Sequence, residues 1–190
     1  EEILEIMKGV RERNLAVLWP NGLEMRKMTM GRGHSGKKED LTPDEEVIQA
    51  IYNWDGRKGT LAGYLPAERP IFGRESYAKL VPWQQHKRIV RTIVQTGVPM
   101  ISYGVIIGLP DDDEEALLRL EEALWEVYQE VKEINPSIIF QVSPFVISPI
   151  LGTPQGEIIR KSGLLKFEDP ALFAGFWTCL LYTSDAADDW

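Results

Sequence analysis

Short apolar runs alternate along the chain with longer stretches in which apolar residues recur every three or four positions. The short runs are typical of buried strands, and four of them are bounded by turn residues, at 15–19, 60–65, 100–109 and 138–146. The longer stretches predict amphipathic helices at 3–10, 43–54, 83–95 and 111–134. This alternation predicts parallel strands joined by crossover helices. We therefore predict an α/β fold, a partial (β/α) barrel of the TIM-barrel type, because four strands are too few to close an eight-stranded barrel.

The second predicted helix has capping residues at its start, whereas the first has none. Thr42 is the predicted N-cap of the second helix, Pro43 suits its first position and Glu45 completes a capping box. The turn residues 55–56 predict the end of that helix. The first helix instead starts without a capping residue, so we expect the chain to be truncated at Glu1.

Composition and charge exclude some classes of function. The chain has 190 residues, 44% of them hydrophobic and 26% charged, which is typical of a globular domain. Its net charge of −8 argues against a nucleic-acid-binding surface, which would need a basic face. No apolar run approaches the roughly 20 residues of a membrane-spanning helix. Cys179 is the only cysteine, so no internal disulfide can form and the expected location is the cytoplasm.

Three groups of residues look like sites but predict ordinary structure. The glycine-rich segment 31–38 nearly matches two phosphate-binding patterns, yet Lys38 replaces the hydroxyl residue of a P-loop and the next helix begins several residues later. We interpret this segment as a solvated basic loop. His34 and His86 are the only histidines and are too isolated to predict a metal site; an acid or base role of His34 stays open. The acidic run 111–115 is typical of a helix N-terminus.

The strand 100–109 has the most specific pattern. Gly104 and Gly108 lie two residues on either side of Ile106, although glycine weakens the packing of a core strand. Either a flat ligand approaches this backbone closely, or the strand packs tightly against a helix. The sequence alone leaves both explanations open.

In the order of its elements and local motifs, the chain resembles the radical S-adenosylmethionine (radical SAM) enzymes over about residues 1–178. The pattern Gly104-x-Ile106-x-Gly108 with Pro110 and an acidic helix is similar to the strand that runs beside the adenine in that family. Ala67-Glu68-Arg69 and Asn21-Gly22-Leu23-Glu24 stand at the ends of the two preceding strands. The segment 145–154, with Gly152-Thr153-Pro154, resembles the last barrel strand and its turn. The segment 163–177 resembles an extension found in members with a cobalamin-binding domain.

The resemblance implies the reaction and the cofactors. A [4Fe–4S] cluster would reduce S-adenosylmethionine, and the resulting radical would remove a hydrogen from a small-molecule substrate. The family binds the cluster through the pattern C-x-x-x-C-x-x-C, which this chain lacks. The chain alone is therefore expected to be inactive. Cobalamin is a further cofactor that the resemblance allows. Ligands of such barrels bind at the carboxyl ends of the strands. The implied cofactor-binding or substrate-binding residues are Asn21, Glu24, Pro66, Glu68, Arg69, Gly104, Ile106, Gly108, Pro110 and Ser143; Ser148 lies on the same face, and no catalytic residue is named.

The predicted organisation has three parts. Residues 1–154 form the partial barrel, and the resemblance implies that its first two strands lie upstream of Glu1. Residues 155–178 form a C-terminal extension. Residues 179–190 resemble the translation of a sequencing adapter and are expected not to belong to the evolved protein. Two alternatives remain open. One is an ordinary α/β-barrel enzyme in which Glu68 or Asp111 performs acid–base chemistry, and the other is a binding module without catalysis.

Overall fold

In the computed structural model, the described residues are 2–32, 37–69, 81–109, 112–146, 150, 152–163 and 165. The predictions that concern His34, Pro110, Asp111, Ser148 and Cys179 lie outside these residues, as does most of the segment 155–178.

The described elements alternate between strands and helices in the predicted order. The strands are β1 (Ala16–Trp19), β2 (Gly59–Glu68), β3 (Met100–Ile107) and β4 (Ile139–Val146). The helices are α1 (Glu2–Glu12), α2 (Glu45–Tyr52), α3 (Trp83–Gln95), α4 (Glu114–Ile134) and α5 (Pro154–Lys161), with a short 3₁₀ helix at Met25–Met28. The strands form one parallel sheet in the order β1-β2-β3-β4. The prediction of an α/β fold with parallel strands is therefore confirmed.

The chain divides into two compact units. One contains Glu1–Val105 and Leu118–Pro144, and the other contains Ile106–Leu117 and Phe145–Trp190. The first unit holds most of the sheet and the hydrophobic core. In the second unit the N-terminus of α4 is capped by Asp113, whose carboxylate accepts a hydrogen bond of 2.7 Å from the Ala116 N–H. This cap explains why α4 begins at Glu114, three residues later than the apolar pattern predicts.

In the first unit, helices cover one face of the sheet. Alternate residues of β3 point to the same face, and Ile101, Tyr103 and Val105 are almost completely buried. The helical side chains of the same core recur at the predicted spacing and include Ile48, Ile51, Ile89, Val90, Ile93, Val127 and Val131. Burying a large aliphatic side chain contributes about 1.5–3 kcal/mol. The apolar stripes that predicted the helices therefore also stabilise their packing on the sheet.

The predicted N-cap of α2 is wrong. The carboxylate of Asp44, not the hydroxyl of Thr42, accepts a hydrogen bond from the Val47 N–H, at 3.1 Å. Thr29 and Pro43 form an isolated antiparallel bridge, which holds the chain before Asp44 extended. Because of this tertiary contact the helix begins at Glu45, so Glu45 cannot complete the predicted capping box.

The predicted end of α2 is also too late. The helix ends at Tyr52, where Asn53 leaves the helical conformation with φ −57° and ψ 133°. The turn residues 55–56 belong to the next connection. There the Asp55 carboxylate accepts hydrogen bonds from the N–H groups of Arg57 and Lys58, at 3.0 and 2.9 Å.

The described part of the segment after β4 contains α5, which the sequence analysis did not predict. The hydroxyl of Thr153 accepts a hydrogen bond of 3.1 Å from the Gly156 N–H, and Pro154 occupies the first turn. Both are ordinary signals of a helix start. They were missed because the prolines around them suggested only turns.

Candidate functional site

The turn after β1 packs directly on the middle of β2. Gly22 has φ +63°, and a Cβ at this position would lie 1.8 Å from the carbonyl oxygen of Tyr64 and 3.1 Å from Cδ of Pro66. Only glycine allows this approach of two backbone segments. The contact brings the exposed residue Asn21 to the neighbourhood of Pro66, as their positions at neighbouring strand ends predict. Glu24 follows on the same connection and precedes the 3₁₀ helix.

The end of β2 contains an irregularity at the predicted site residues. Pro66 pairs with Gly104 and Glu68 pairs with Val105, so the register shifts by one residue between them. Glu68 has φ +56°, a conformation that is uncommon for residues other than glycine and that costs about 1–3 kcal/mol. Arg69 follows and is only 5% exposed. Glu68 is thus placed beside Val105 at the carboxyl end of β2, one residue beyond the pair of Pro66 and Gly104.

Four residues define what we call the open face of the sheet: Tyr64, Ser102, Gly104 and Ser143. Tyr64 and Ser102 are direct register partners, and Gly104 follows on the same side of β3. The hydroxyls of Ser102 and Ser143 are 3.0 Å apart and share a hydrogen bond across β3 and β4. This face is opposite to the one that the helices cover.

Tyr64 covers the backbone of Gly104. A Cβ built on Gly104 would lie 1.8 Å from Oη, 2.4 Å from Cζ and 2.7 Å from Cε2 of Tyr64. The glycine therefore gives space to the ring of a neighbouring strand, which is a form of tight packing that the sequence analysis did not consider. Burial first, and then the negative charge of Glu68, raise the pKa of the Tyr64 phenol. The phenol is thus protonated at neutral pH and can donate a hydrogen bond.

Sequence reasoning missed Tyr64 and Ser102 as members of this group. The signal was present, because each lies two residues before a predicted site residue of its own strand, Pro66 or Gly104. Residues two apart in a strand share a face. Ile106 and Gly108, by contrast, belong to the second unit, where Gly108 has φ +79°.

His86 lies in the core and not at the open face. Its ring is buried, stacks on Trp83 and shares a hydrogen bond with the Tyr103 hydroxyl. Burial lowers the pKa of His86 to about 3. Nearby, the ammonium group of Lys87 pairs with Glu126 and Glu130 of α4. The interpretation of His86 as an ordinary polar residue stays a prediction, but its position makes it a packing residue of α3 and β3.

The fold and the site define an α/β protein with a parallel sheet, whose open face carries the hydroxyls of Tyr64, Ser102 and Ser143. Comparison of the chain with protein-family models, with curated proteins and with solved structures gave no significant match. In the described part of the chain, no cluster of three or more histidine, cysteine, aspartate or glutamate residues is suited to hold a metal ion. No helix among these residues is long and apolar enough to cross a membrane.

Proposed function

We propose that this chain supplies the later strands of a radical S-adenosylmethionine enzyme, and that these strands bind S-adenosylmethionine and a small-molecule substrate. The observation that carries the proposal is the irregular end of β2, where Pro66 pairs with Gly104 and Glu68, the last residue of the strand, pairs with Val105. Ligands of open parallel sheets and of barrels bind at this end. Backbone strain such as that of Glu68 is concentrated at functional sites, which adds support.

The residues of this edge and of the open face suit the chemical groups of S-adenosylmethionine. The carboxylate of Glu68 can attract its ammonium or sulfonium charge, and the hydroxyls of Ser102 and Ser143 can bind its ribose. When bound, the cofactor would supply the radical that removes a substrate hydrogen, because the difficult chemistry belongs to the cofactor. The task of the chain is to orient the two ligands and to exclude water from between them.

The residues of this chain do not suit the [4Fe–4S] cluster. The family's cluster needs three thiolates, and the sequence contains one cysteine, Cys179. Under the proposal, the cluster ligands belong to a part of the enzyme that this chain does not contain. A cobalamin domain would likewise belong to that other part of the enzyme. The compartment we propose for the whole enzyme is the cytoplasm.

A binding measurement tests the part of the proposal that concerns this chain. S-Adenosylmethionine is titrated into the 190-residue protein by calorimetry, and the dissociation constant is compared with that of Glu68→Gln. We expect the substitution to weaken binding about tenfold or more, because a hydrogen bond to a charged group contributes about 1.5–3 kcal/mol. Glu133→Gln, which removes the same charge from an exposed position on α4, is the matched control and should bind as the wild type does. Equal affinities for all three proteins would contradict the role of Glu68.

A second test addresses the cluster. The gene is sequenced on both sides of the segment that encodes residues 1–178. A C-x-x-x-C-x-x-C pattern upstream, within the same reading frame, would support radical chemistry. A frame without a cysteine triad would overturn that chemistry and would leave acid–base catalysis by Glu68 or Asp111 as the leading hypothesis.

A further inference from the structure

The space that Gly104 leaves beside β3 is occupied by the ring of Tyr64. The ring of Tyr64 lies so near the backbone that a Cβ on Gly104 would be 2.4 Å from Cζ. A planar ligand that approaches β3 on the open face therefore meets an aromatic ring before it reaches the strand. The contact surface at this position is that of a phenol and not that of a peptide.

The ring of Tyr64 is held in place but remains accessible. Its ring packs against the backbone of Gly104, and its own backbone carbonyl packs against Gly22. Its side chain is only half-buried, so part of the ring surface stays in contact with solvent. An aromatic surface with these two properties is suited to stacking, because it loses little conformational freedom when a ligand binds.

Two serine hydroxyls and one carboxylate lie near this ring. Ser102, the register partner of Tyr64, shares its hydrogen bond with Ser143 and can exchange it for one to a ligand hydroxyl. The Glu68 carboxylate is near enough to raise the pKa of the Tyr64 phenol. The combination of a ring, two hydroxyls and a negative charge matches a ligand that has a planar heterocycle, hydroxyl groups and a positive charge.

We propose that Tyr64 is the specificity-determining residue of the open face, and that the planar heterocycle of the ligand stacks on its ring. This inference rests on the proposed function where it identifies the heterocycle as the adenine of S-adenosylmethionine. The requirement for a planar heterocycle does not depend on that function. The alternative is that Tyr64 only fills the space over Gly104 and blocks ligands from it.

The test compares the wild type with Tyr64→Phe and Tyr64→Leu. The probes are S-adenosylmethionine, adenosine and nicotinamide, each titrated while the NMR signals of its aromatic protons are recorded. We expect the wild type and Tyr64→Phe to shift these signals upfield through the ring current and to bind with similar affinity. Tyr64→Leu should bind roughly tenfold more weakly and abolish the upfield shift, since stacking of one base on an aromatic side chain is usually worth a factor of this order. A purely structural role of Tyr64 would not produce an upfield shift in the wild type, so the spectrum is decisive even if Tyr64→Leu does not fold.

The probes separate this inference from the proposed function. If S-adenosylmethionine binds without an upfield shift and equally well to Tyr64→Leu, the inference is overturned and the proposed function stands. If nicotinamide binds with the shift but S-adenosylmethionine and adenosine do not bind, the proposed function fails and the stacking role of Tyr64 stands. Tighter binding to Tyr64→Leu than to the wild type would mean that the ring blocks the site, and this result overturns the inference. If none of the three probes binds, both proposals are overturned.

Discussion

Gly22 offers the sharpest test of the geometry at the open face. Its φ of +63° is unfavourable for any residue with a Cβ, and that atom would lie 1.8 Å from the carbonyl oxygen and 2.7 Å from the carbonyl carbon of Tyr64. The opposing atoms belong to the backbone of a strand, so no side-chain rotation can relieve the collision. The substitution Gly22→Ala should therefore displace the turn after β1 from β2.

The magnitude follows from two separate costs. The left-handed conformation costs an alanine about 1–2 kcal/mol. An added carbon that forces the backbone to shift costs about 1–3 kcal/mol more. Together they predict that Gly22→Ala loses about 2–5 kcal/mol of the free energy of unfolding, a large part of the 5–15 kcal/mol that is typical of a domain.

The two costs can be separated with a second glycine. Gly56 also has a positive φ, of +92°, but nothing lies within 4 Å of a Cβ built on it. Gly56→Ala should therefore show the conformational cost without the collision. The assay is urea unfolding followed by circular dichroism, with the same protein concentration for the wild type and both variants. If Gly22→Ala and Gly56→Ala lose the same stability, the packing of the turn on Tyr64 is refuted.

Three further outcomes follow from single contacts. Gly104→Ala should destabilise the protein by about 1–3 kcal/mol, and adding Tyr64→Leu should recover part of this loss; additive effects in the double-mutant cycle would contradict the contact between the two residues. Asp44→Ala should cost about 1 kcal/mol in thermal unfolding, because the Val47 N–H loses its capping partner; an unchanged melting temperature would argue against this cap. The pKa of His86 falls from its ordinary value of 6.5 to about 3 in the folded protein, so the unfolded state binds a proton more readily as the pH falls from about 6.5 towards 3. Stability should decrease over this range, and the decrease should be smaller in His86→Leu; equal pH profiles from urea titrations would exclude a buried neutral His86.

Most of the fold could be predicted from local patterns. The continuous apolar runs indicated the strands because a parallel sheet needs apolar residues on both of its faces. The repeat of apolar residues every three or four positions indicated α3 and α4 because the same residues face the core. Boundaries were predicted less well. The cap of α2 depends on the bridge between Thr29 and Pro43, which joins residues that no local pattern connects.

The candidate site shows the same division. Pro66 and Glu68 could be assigned to the end of a strand from the sequence, and only the register shows that they pair with Gly104 and Val105. The contact between the Tyr64 ring and Gly104 could not be predicted, because the register partner of Tyr64 is Ser102 and the ring reaches diagonally to Gly104. Ser102 and Ser143 are 41 positions apart, and nothing in the sequence indicates that their hydroxyls share a hydrogen bond.

The sequence by itself determined the alternation of elements and the parallel direction of the strands. These properties follow from the period of the apolar pattern and from the rule that parallel strands need crossover connections. The tertiary structure alone decided the register, the bulge at the end of β2, the left-handed backbone of Glu68 and the identity of the residue that fills the space over Gly104. The physical reason is that these features depend on contacts of a few ångströms between segments that are distant in the chain. A sequence pattern indicates only the local conformation of each segment and which of its faces is apolar.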